Sequence, residues 1–236
     1  MRLDKYVALA LDCTRKDAKG IIISKKIKIV KDDMEVVKYN VDYNVTTEKI
    51  YFNNELIVAH EFVYIMMNKP SGVLSATTDK YNKCALDLID GYKTRNLGLI
   101  GRLDIDTEGL LIITDDGALI HKLTSPKGNH PKKYLVKVDK EFNIDDKNQI
   151  SNGVYIDVDG EKYLTKPASL ELIDKKTAYI TITEGKFHQI KLMMKAIGKE
   201  VVYLKRLEIN NLKLDDTLDL GMYRLLTDQE VEILKH

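Results

Sequence analysis

The sequence predicts an α+β fold: a mixed, largely antiparallel sheet with flanking helices, preceded by a smaller α/β unit. Apolar residues alternate with the period of a strand in more segments than show helical spacing. The strands also lack the regular helix-after-strand order that produces a parallel sheet. With 236 residues, of which 44% are apolar and 31% charged, the chain has an ordinary globular composition and room for two domains.

The first 35 residues predict a unit of two helices followed by a strand. Apolar residues recur at helical spacing over residues 3–11. Thr14 precedes Asp17 by three positions, which is typical of the start of a second helix. Residues 27–30 have the composition of a strand, and residues 31–33 that of a turn.

The remainder of the chain predicts strands that alternate with a few helices. We expect strands at residues 63–67, 110–114, 133–138 and 178–183, and helices around Leu119 and Leu123, from Ile190 to Ile197, and after Thr227. The first of these helices is predicted to stop at Pro126. We place a domain boundary near Ala59, so that the predicted domains are residues 1–59 and 60–236.

Several classes of function are disfavoured by the motifs that the sequence lacks. It contains no Walker loop and no Gly-x-Gly-x-x-Gly, so we expect no nucleotide cofactor. The five histidines and two cysteines show no metal-ligand spacing, so we expect no metal and interpret the cysteines as thiols in a reducing cytoplasm. No apolar run approaches the roughly 20 residues of a membrane helix, and the acidic N-terminus is unlike a secretory signal. We expect a cytoplasmic monomer with no membrane partner.

The net charge of +1 conceals a basic N-terminal segment. Residues 1–31 hold nine Lys or Arg against three Asp or Glu. Such an excess suits a nucleic-acid backbone even in a neutral chain, but it also fits a solvated, lysine-rich surface. The candidate RNA contacts share the polar faces of the two predicted helices: Arg2, Lys5, Arg15, Lys16 and Lys19.

The segment GRLDIDTEGLLIITDDG, from Gly101 to Gly117, places an arginine and three acids directly before a buried strand. Asp104 is the strongest candidate for chemistry. Gly101 and Gly109 permit tight turns on either side of it, and Arg102 supplies an opposite charge next to apolar residues. From the residues alone, a simple turn-capping role for Asp104 also fits.

Five segments carry a resemblance to a known family: NKPSG (Asn68–Gly72), GRLDIDTEGLL (Gly101–Leu111), KKYLV (Lys132–Val136), EGKFHQIK (Glu184–Lys191) and GMYRLLT (Gly221–Thr227). In this order they resemble the bacterial ribosomal pseudouridine synthases of the RsuA type. The segments Arg2–Tyr6 and Thr14–Ala18 resemble an S4 RNA-binding domain. The S4 pattern usually has a glycine near Lys25 and an Asn-Gly turn near Asp32, and both are absent here.

The resemblance implies an isomerisation that needs no cofactor. The N1–C1′ bond of a uridine breaks, and the base rejoins through C5 after it has been flipped out of the RNA. Asp104 is the implied catalytic carboxylate, acting either on C1′ or on a C2′ proton, and Lys191 keeps it ionised. Tyr134 stacks on the flipped base and relays the C5 proton. Arg102 and Lys69 are the implied RNA contacts of this domain.

The resemblance also implies supporting residues near these groups. Asp106 and Thr107 are expected to shape the loop, while His188 and Gln189 are expected to position Lys191.

The implied partner is ribosomal RNA or a partly assembled ribosomal subunit. The short segment after the last predicted helix favours small-subunit (16S) over large-subunit (23S) RNA. One alternative is the same reaction on 23S RNA. Another is a non-catalytic RNA-binding assembly factor, against which the presence of Asp104, Tyr134 and Lys191 argues. A glycoside hydrolase is disfavoured because it needs two separated carboxylates, and only Asp106 is at hand.

Overall fold

The computed structural model describes residues 1–36, 38–92, 95–125 and 128–236. These residues form two compact units: Met1–Val63 with Asp90–Asn96, and Tyr64–Ile89 with Leu97–His236. The boundary near residue 59 and the S4 character of the first unit stay predictions. Within the described ranges, no helix combines the length and the apolar character needed to cross a bilayer.

The first unit combines two helices with a four-stranded antiparallel sheet. Its elements are α1 (Leu3–Ala10), α2 (Arg15–Ile23), β1 (Ile27–Lys31), β2 (Met34–Glu35), β3 (Lys49–Phe52) and β4 (Glu55–Ile57), with the strands in the order β2-β1-β3-β4. Helix α2 begins where the sequence predicts, because the Thr14 hydroxyl accepts a hydrogen bond from the Asp17 amide at 3.2 Å. Leu3 and Val7 of α1 are buried with Ile29 of β1 in one core.

The turn between β1 and β2 forms without glycine. Asp32 and Asp33 have φ of 47° and 60°, the left-handed backbone that a tight two-residue hairpin requires. Aspartate adopts this conformation more readily than most non-glycine residues. Lys25, near which the S4 pattern usually has glycine, also has a positive φ of 58°. The missing glycines therefore do not abolish the turn geometry.

The second unit is built on a nine-stranded mixed sheet. Its strands, with those of a separate hairpin, are β5 (Tyr64–Lys69), β6 (Gly98–Ile100), β7 (Glu108–Thr114), β8 (Lys132–Val138), β9 (Tyr155–Val158), β10 (Glu161–Leu164), β11 (Ser169–Leu172), β12 (Thr177–Ile182), β13 (Val201–Ile209), β14 (Leu212–Lys213) and β15 (Tyr223–Leu225). The main path is β11-β12-β8-β13-β7-β5-β15, while β14 pairs with β13, β6 with β7, and β9 with β10. Strands β7 and β13 run parallel, and the other pairs are antiparallel in the part of the chain described. The predicted mixed, largely antiparallel sheet is confirmed.

The helices of this unit are α3 (Gly117–Thr124), α4 (Ile144–Asn152), α5 (Gln189–Ala196) and α6 (Asp228–Lys235). Thr227 and Glu230 form the predicted capping box of α6. Periodicity did not indicate α4, which begins at a capping box of Asn143 and Asp146. The stop predicted for α3 at Pro126 lies outside the described residues.

Two apolar clusters meet at the chain segment that follows β6. Ile100 belongs to a cluster with Leu110 and Leu119, and Leu103 belongs to a second cluster with Tyr134. Between these two buried anchors lie only Gly101 and Arg102. The packing therefore fixes the start of the loop that carries Asp104.

Candidate active site

A cleft of about 840 Å³ opens in the second unit. It is lined by the loop between β6 and β7, by parts of β8 and β13, and by residues 182–191, which lead into α5. The predicted residues Asp104, Tyr134, Lys191 and Arg102 all line this cleft. Segments that are distant in sequence thus supply one surface.

Asp104 lies in the cleft between two nitrogen-bearing side chains. Its Oδ2 is 3.0 Å from Nζ of Lys191, and its Oδ1 is 3.7 Å from Nε2 of His188. The Asp104 side chain is 21% exposed, so it is accessible from the cleft but largely shielded from bulk water. The ammonium attracts the carboxylate strongly in this setting and fixes its direction.

Lys191 also holds a second carboxylate. Its ammonium donates to Oδ1 of Asp106 at 2.5 Å. Burial lowers the pKa of Lys191, but the hydrogen bonds to Asp106 and Asp104 outweigh burial and leave the pKa raised, so the lysine stays cationic at neutral pH. Desolvation opposes ionisation of Asp106, yet the bond from Lys191 leaves its pKa lowered. The side chain of Asp106 is 61% exposed, about three times as much as that of Asp104.

Lys69, at the end of β5, ties down the loop that carries Asp104. Its Nζ donates to the carbonyl oxygens of Pro70 at 2.8 Å, Thr107 at 2.9 Å and Ile105 at 3.3 Å. Burial lowers the pKa of Lys69 to about 8. The expectation that Lys69 contacts the RNA backbone is wrong for this structure. Its side chain is fully buried, and all three of its hydrogen bonds go to main-chain carbonyls of the protein.

The turn after β5 adds further support to the same loop. The Gly72 amide donates to the Ile105 carbonyl at 2.7 Å. The Ser75 hydroxyl donates to the Leu103 carbonyl at 2.9 Å and accepts from the Leu103 amide at 3.0 Å. The main chain on both sides of Asp104 is therefore hydrogen-bonded to one neighbouring segment.

Tyr134 and Arg102 approach the cleft from different elements. Tyr134 lies on β8 opposite Ile180 of β12 and Arg206 of β13, and it is 7% exposed. Its ring is therefore buried on most sides and reaches the cleft with one surface. Arg102 is exposed, and no ion pair within the described ranges holds its guanidinium. It remains open to an anionic partner.

A hydrogen-bond network shapes the segment before α5. Gln189 donates from Nε2 to Oε1 of Glu184 at 2.7 Å and accepts from the Lys186 amide at 2.8 Å. The Tyr163 hydroxyl donates to the other Glu184 oxygen at 2.7 Å. His188 has a left-handed φ of 49° at the turn into the helix. The bend directs the first turn of α5 toward the cleft. That His188 and Gln189 position the lysine there stays a prediction.

Comparison with known proteins identifies the family. The family model described as RNA pseudouridylate synthase matches residues 63–196, more than half of the chain. The chain belongs to the RNA pseudouridylate synthase family. The match spans β5, the Asp104 loop, β8 and all of α5.

Full-length relatives agree with this assignment. Ribosomal small subunit pseudouridine synthase A of Vibrio cholerae is 41% identical over 98% of both chains. An uncharacterized RNA pseudouridine synthase of Bacillus subtilis is 41% identical over 99% of this chain and 98% of its own. A crystal structure of a pseudouridylate synthase is 36% identical, covers 99% of both chains and gives a TM-score of 0.69. As a pseudouridylate synthase, the protein is an isomerase, and the predicted fold is confirmed.

Two cations of this pseudouridylate synthase cleft were not singled out from the sequence. Arg206 on β13 is 1% exposed and donates from Nε to the Leu110 carbonyl at 2.8 Å; among the described residues, nothing accepts from its Nη2. Burial and then the charge of Arg206 lower the pKa of Lys132 to about 8. A Cβ atom added at Gly109 would lie 2.2 Å from the Arg206 carbonyl oxygen, so this close approach of β7 to β13 requires glycine at this position. Lys132 belongs to the KKYLV motif, whereas the sequence around Arg206 gives no indication that this residue is buried at the cleft.

Three of the five candidate RNA contacts in the first unit lie around one buried acid. The cations close to the Asp4 carboxylate are Arg2, Arg15 and Lys19. Hydrogen bonding by Arg2 is the main cause that lowers the pKa of Asp4 to about 2. Lys5 is 3.4 Å from Glu61. Lys16 is exposed and has no ion pair in the part of the chain that is described. That these five basic residues contact RNA stays a prediction.

Proposed function

We propose that this enzyme converts a uridine of small-subunit ribosomal RNA into pseudouridine, with Asp104 as the catalytic carboxylate. The observation that carries the assignment is the Asp104–Lys191 ion pair at 3.0 Å inside the cleft that Tyr134 also lines. The small-subunit substrate is supported by the relative from Vibrio cholerae and its counterpart from Escherichia coli, which is 38% identical, since both are named ribosomal small subunit pseudouridine synthase A. The partner is ribosomal RNA, free or in a partly assembled subunit, and the enzyme acts as a cytoplasmic monomer.

The reaction conserves all atoms of the uridine. The N1–C1′ bond breaks, the uracil turns, and C5 bonds to C1′. The proton then leaves C5, and N1 gains one. Asp104 begins the reaction either by attacking C1′ or by taking a proton from C2′. In the first route the bond between Asp104 and C1′ breaks when C5 bonds to C1′, and in the second C2′ regains its proton. Both routes need an ionised carboxylate in a fixed orientation, and the ammonium of Lys191 provides that orientation.

The remaining residues of the cleft hold the substrate. The partly buried Tyr134 ring offers an aromatic face to the flipped uracil and a hydroxyl that relays the C5 proton; stacking on such a face is worth about 1–3 kcal/mol per base. Arg102, exposed and without an ion pair among the described residues, contacts the RNA beside the flipped nucleotide. Lys69 acts only indirectly, by keeping the Asp104 loop in place.

The test is Asp104→Asn, which keeps the size of the side chain and removes its charge. We expect pseudouridine formation to fall by more than about 1,000-fold while RNA binding changes little, because the carboxylate acts on the bond rather than on affinity. The measurement is pseudouridine mapping of ribosomal RNA from cells that carry each variant. Asp145→Asn, an exposed acid on α4 outside the cleft, is the control.

Two outcomes would contradict the proposal. Normal conversion by Asp104→Asn would remove Asp104 from the chemistry. Pseudouridine lost from large-subunit instead of small-subunit RNA when the protein is absent would correct the substrate.

A further inference from the structure

Two stacked aromatic rings lie at the cleft next to the candidate catalytic acid, and no step of the proposed isomerisation uses them. The ring centroids of Phe187 and His188 are 3.7 Å apart, and the planes are inclined by 23°. Both side chains line the cleft. Phe187 is 63% exposed, which is unusual for a phenylalanine, since this residue type is among the most often buried.

The order of the two rings leaves one face of Phe187 open. His188 covers the other face and is itself closer to the chemistry, since its Nε2 lies 3.7 Å from Oδ1 of Asp104. Phe187 is thus one ring away from the side chain that meets Asp104, and it lines the same cleft. Its open face is therefore within reach of a nucleotide adjacent to one whose C1′ lies at Asp104.

The surroundings of the ring pair suit a nucleic-acid strand. Lys186 precedes Phe187 and places its ammonium 4.3 Å from the centroid of the Tyr163 ring, while Arg102 lines the same cleft. Proteins that hold single-stranded nucleic acid combine such cations, for the phosphates, with aromatic side chains on which bases stack. His188 has a left-handed φ of 49°, which sets the direction of the backbone just after Phe187.

We propose that the open face of Phe187 is the binding site for the nucleobase next to the target uridine. The inference rests on the proposed function, which locates the uridine at Asp104. A base whose neighbour has been flipped out loses one stacking partner. The Phe187 ring, backed by His188, replaces that partner and holds the gap open. Because every base has a π face, the site tolerates any neighbouring base.

A fluorescence experiment tests the ring separately from catalysis. The probe is a single-stranded oligoadenylate with one central uridine, in which 2-aminopurine replaces the adenine on the 5′ or the 3′ side of the uridine. The protein carries Asp104→Asn, so that the strand is bound without turnover. We expect 2-aminopurine fluorescence to be quenched on binding at one of the two positions, because stacking on an aromatic ring quenches it.

Substitution of the ring gives the decisive comparison. Phe187→Ala should weaken binding of the probe by about 5- to 140-fold and restore the fluorescence, whereas Phe187→Tyr should keep both the affinity and the quenching. Tyr81→Ala is the control, because Tyr81 is 83% exposed but does not line the cleft. Because Phe187 is exposed, we expect its variants to unfold at the same temperature as the parent protein, and that measurement checks that the fold is unaffected.

Absence of quenching at both positions, or equal affinity and fluorescence for Phe187→Ala, would overturn the proposal. An abasic nucleotide at the quenched position gives a further check, because the loss caused by Phe187→Ala should then disappear. Failure of the proposed function would show in a different measurement: mapping would find no pseudouridine in ribosomal RNA from cells whose protein has an intact Asp104. The two failures are therefore distinguishable.

Discussion

Lys191 holds two carboxylates with one ammonium, Asp104 at 3.0 Å and Asp106 at 2.5 Å. The shorter contact belongs to the more exposed acid. Ion pairs with exposed partners are worth only about 0–1 kcal/mol, because water screens them. The shorter distance to Asp106 is thus no sign of greater importance. The shielded Asp104 lines the cleft, whereas Asp106 is not among the lining residues, and Asp104 is therefore the acid that we propose for the reaction.

Asp106→Asn separates the roles of the two acids. The amide keeps an oxygen that can accept from Lys191 but removes one negative charge, so we expect kcat/KM to fall by no more than about five-fold. The pKa of Lys191 should fall, since one of the carboxylates that raise it is gone, and any alkaline limb of the pH profile that Lys191 controls should move to lower pH. A loss as large as that for Asp104→Asn would instead make Asp106 the reacting acid.

Lys69→Met tests the support of the catalytic loop. Methionine fills a similar volume but removes a donor from three carbonyl oxygens, of which, among the described residues, only that of Ile105 keeps another donor, the Gly72 amide. We expect the free energy of unfolding to fall by about 2–4 kcal/mol and kcat to fall more than KM changes, because Asp104 is no longer held in place. Urea unfolding and steady-state kinetics measure the two effects. A rise in the KM for RNA alone, with an unchanged kcat, would restore Lys69 as an RNA contact.

At the scale of elements, Arg224 on β15 fastens the C-terminal segment to α6. Its Nε is 2.6 Å from Asp215, and its two terminal nitrogens donate to Glu230 at 2.8 and 2.7 Å. Hydrogen bonds from Thr217 and then from Arg224 lower the pKa of Asp215 to about 2, and bonding by Arg224 lowers that of Glu230 to about 2. One guanidinium therefore joins a strand, a loop and a helix.

The acid dependence of stability follows from these two carboxyl groups. Their pKa values in the folded chain lie below their ordinary values of 3.8 and 4.5. Their contribution to stability is therefore complete above about pH 4.5 and is lost as the pH falls toward 2. Arg224→Met should remove the part of this dependence that the guanidinium supplies, chiefly that of Glu230, while Thr217 still lowers the pKa of Asp215. The stability difference from the wild type should therefore shrink between pH 5 and about 2. Urea unfolding across that range measures the difference, and a constant difference would contradict the assignment.

Local elements were predictable from the sequence, and their assembly was not. The starts of α2 and α6 follow from capping residues within one turn, Thr14 and Thr227. Two hairpin turns consist of paired asparagines, Asn53-Asn54 and Asn210-Asn211, and both residues of each pair have positive φ. Paired asparagines are a local sequence signal for such a turn. The position of β13 between β7 and β8 depends on pairing between distant segments, which periodicity does not report.

The candidate site divides in the same way. The glycines around Asp104 mark a special loop, and the family resemblance supplied Lys191 and Tyr134. Burial of Lys69 had no local signal, because neighbouring strands cover its side chain and two of its three acceptors, Ile105 and Thr107, lie 36 and 38 residues away along the chain. From the sequence alone, a charged residue at the end of a strand is expected to be exposed, because the strands that cover it are not yet known.

At the scale of the whole molecule, a net charge of +1 does not describe how the protein meets RNA. Nine of the basic residues lie in the first 31 positions, yet three of the predicted contacts already face Asp4. That acid is one of only three in the first 31 residues, so this segment keeps its excess of positive charge. Binding that depends on such a surface must weaken as salt rises, because counterions are released from the phosphates.

Lys16 and Lys19 are the residues on which to measure this effect. Lys16 is exposed without an ion pair among the described residues, and the ammonium of Lys19 is 4.0 Å from Asp4. Replacing both by glutamine should weaken RNA binding and reduce the slope of log affinity against log salt by about 0.7 for each phosphate contact to a single strand that is lost. The matched control is Lys147→Gln, an exposed lysine on α4 in the second unit. Filter-binding titrations at several salt concentrations give both slopes. Equal slopes for the double variant and the wild type would mean that RNA does not contact this helix, and the S4-like role of the first unit would then need another surface.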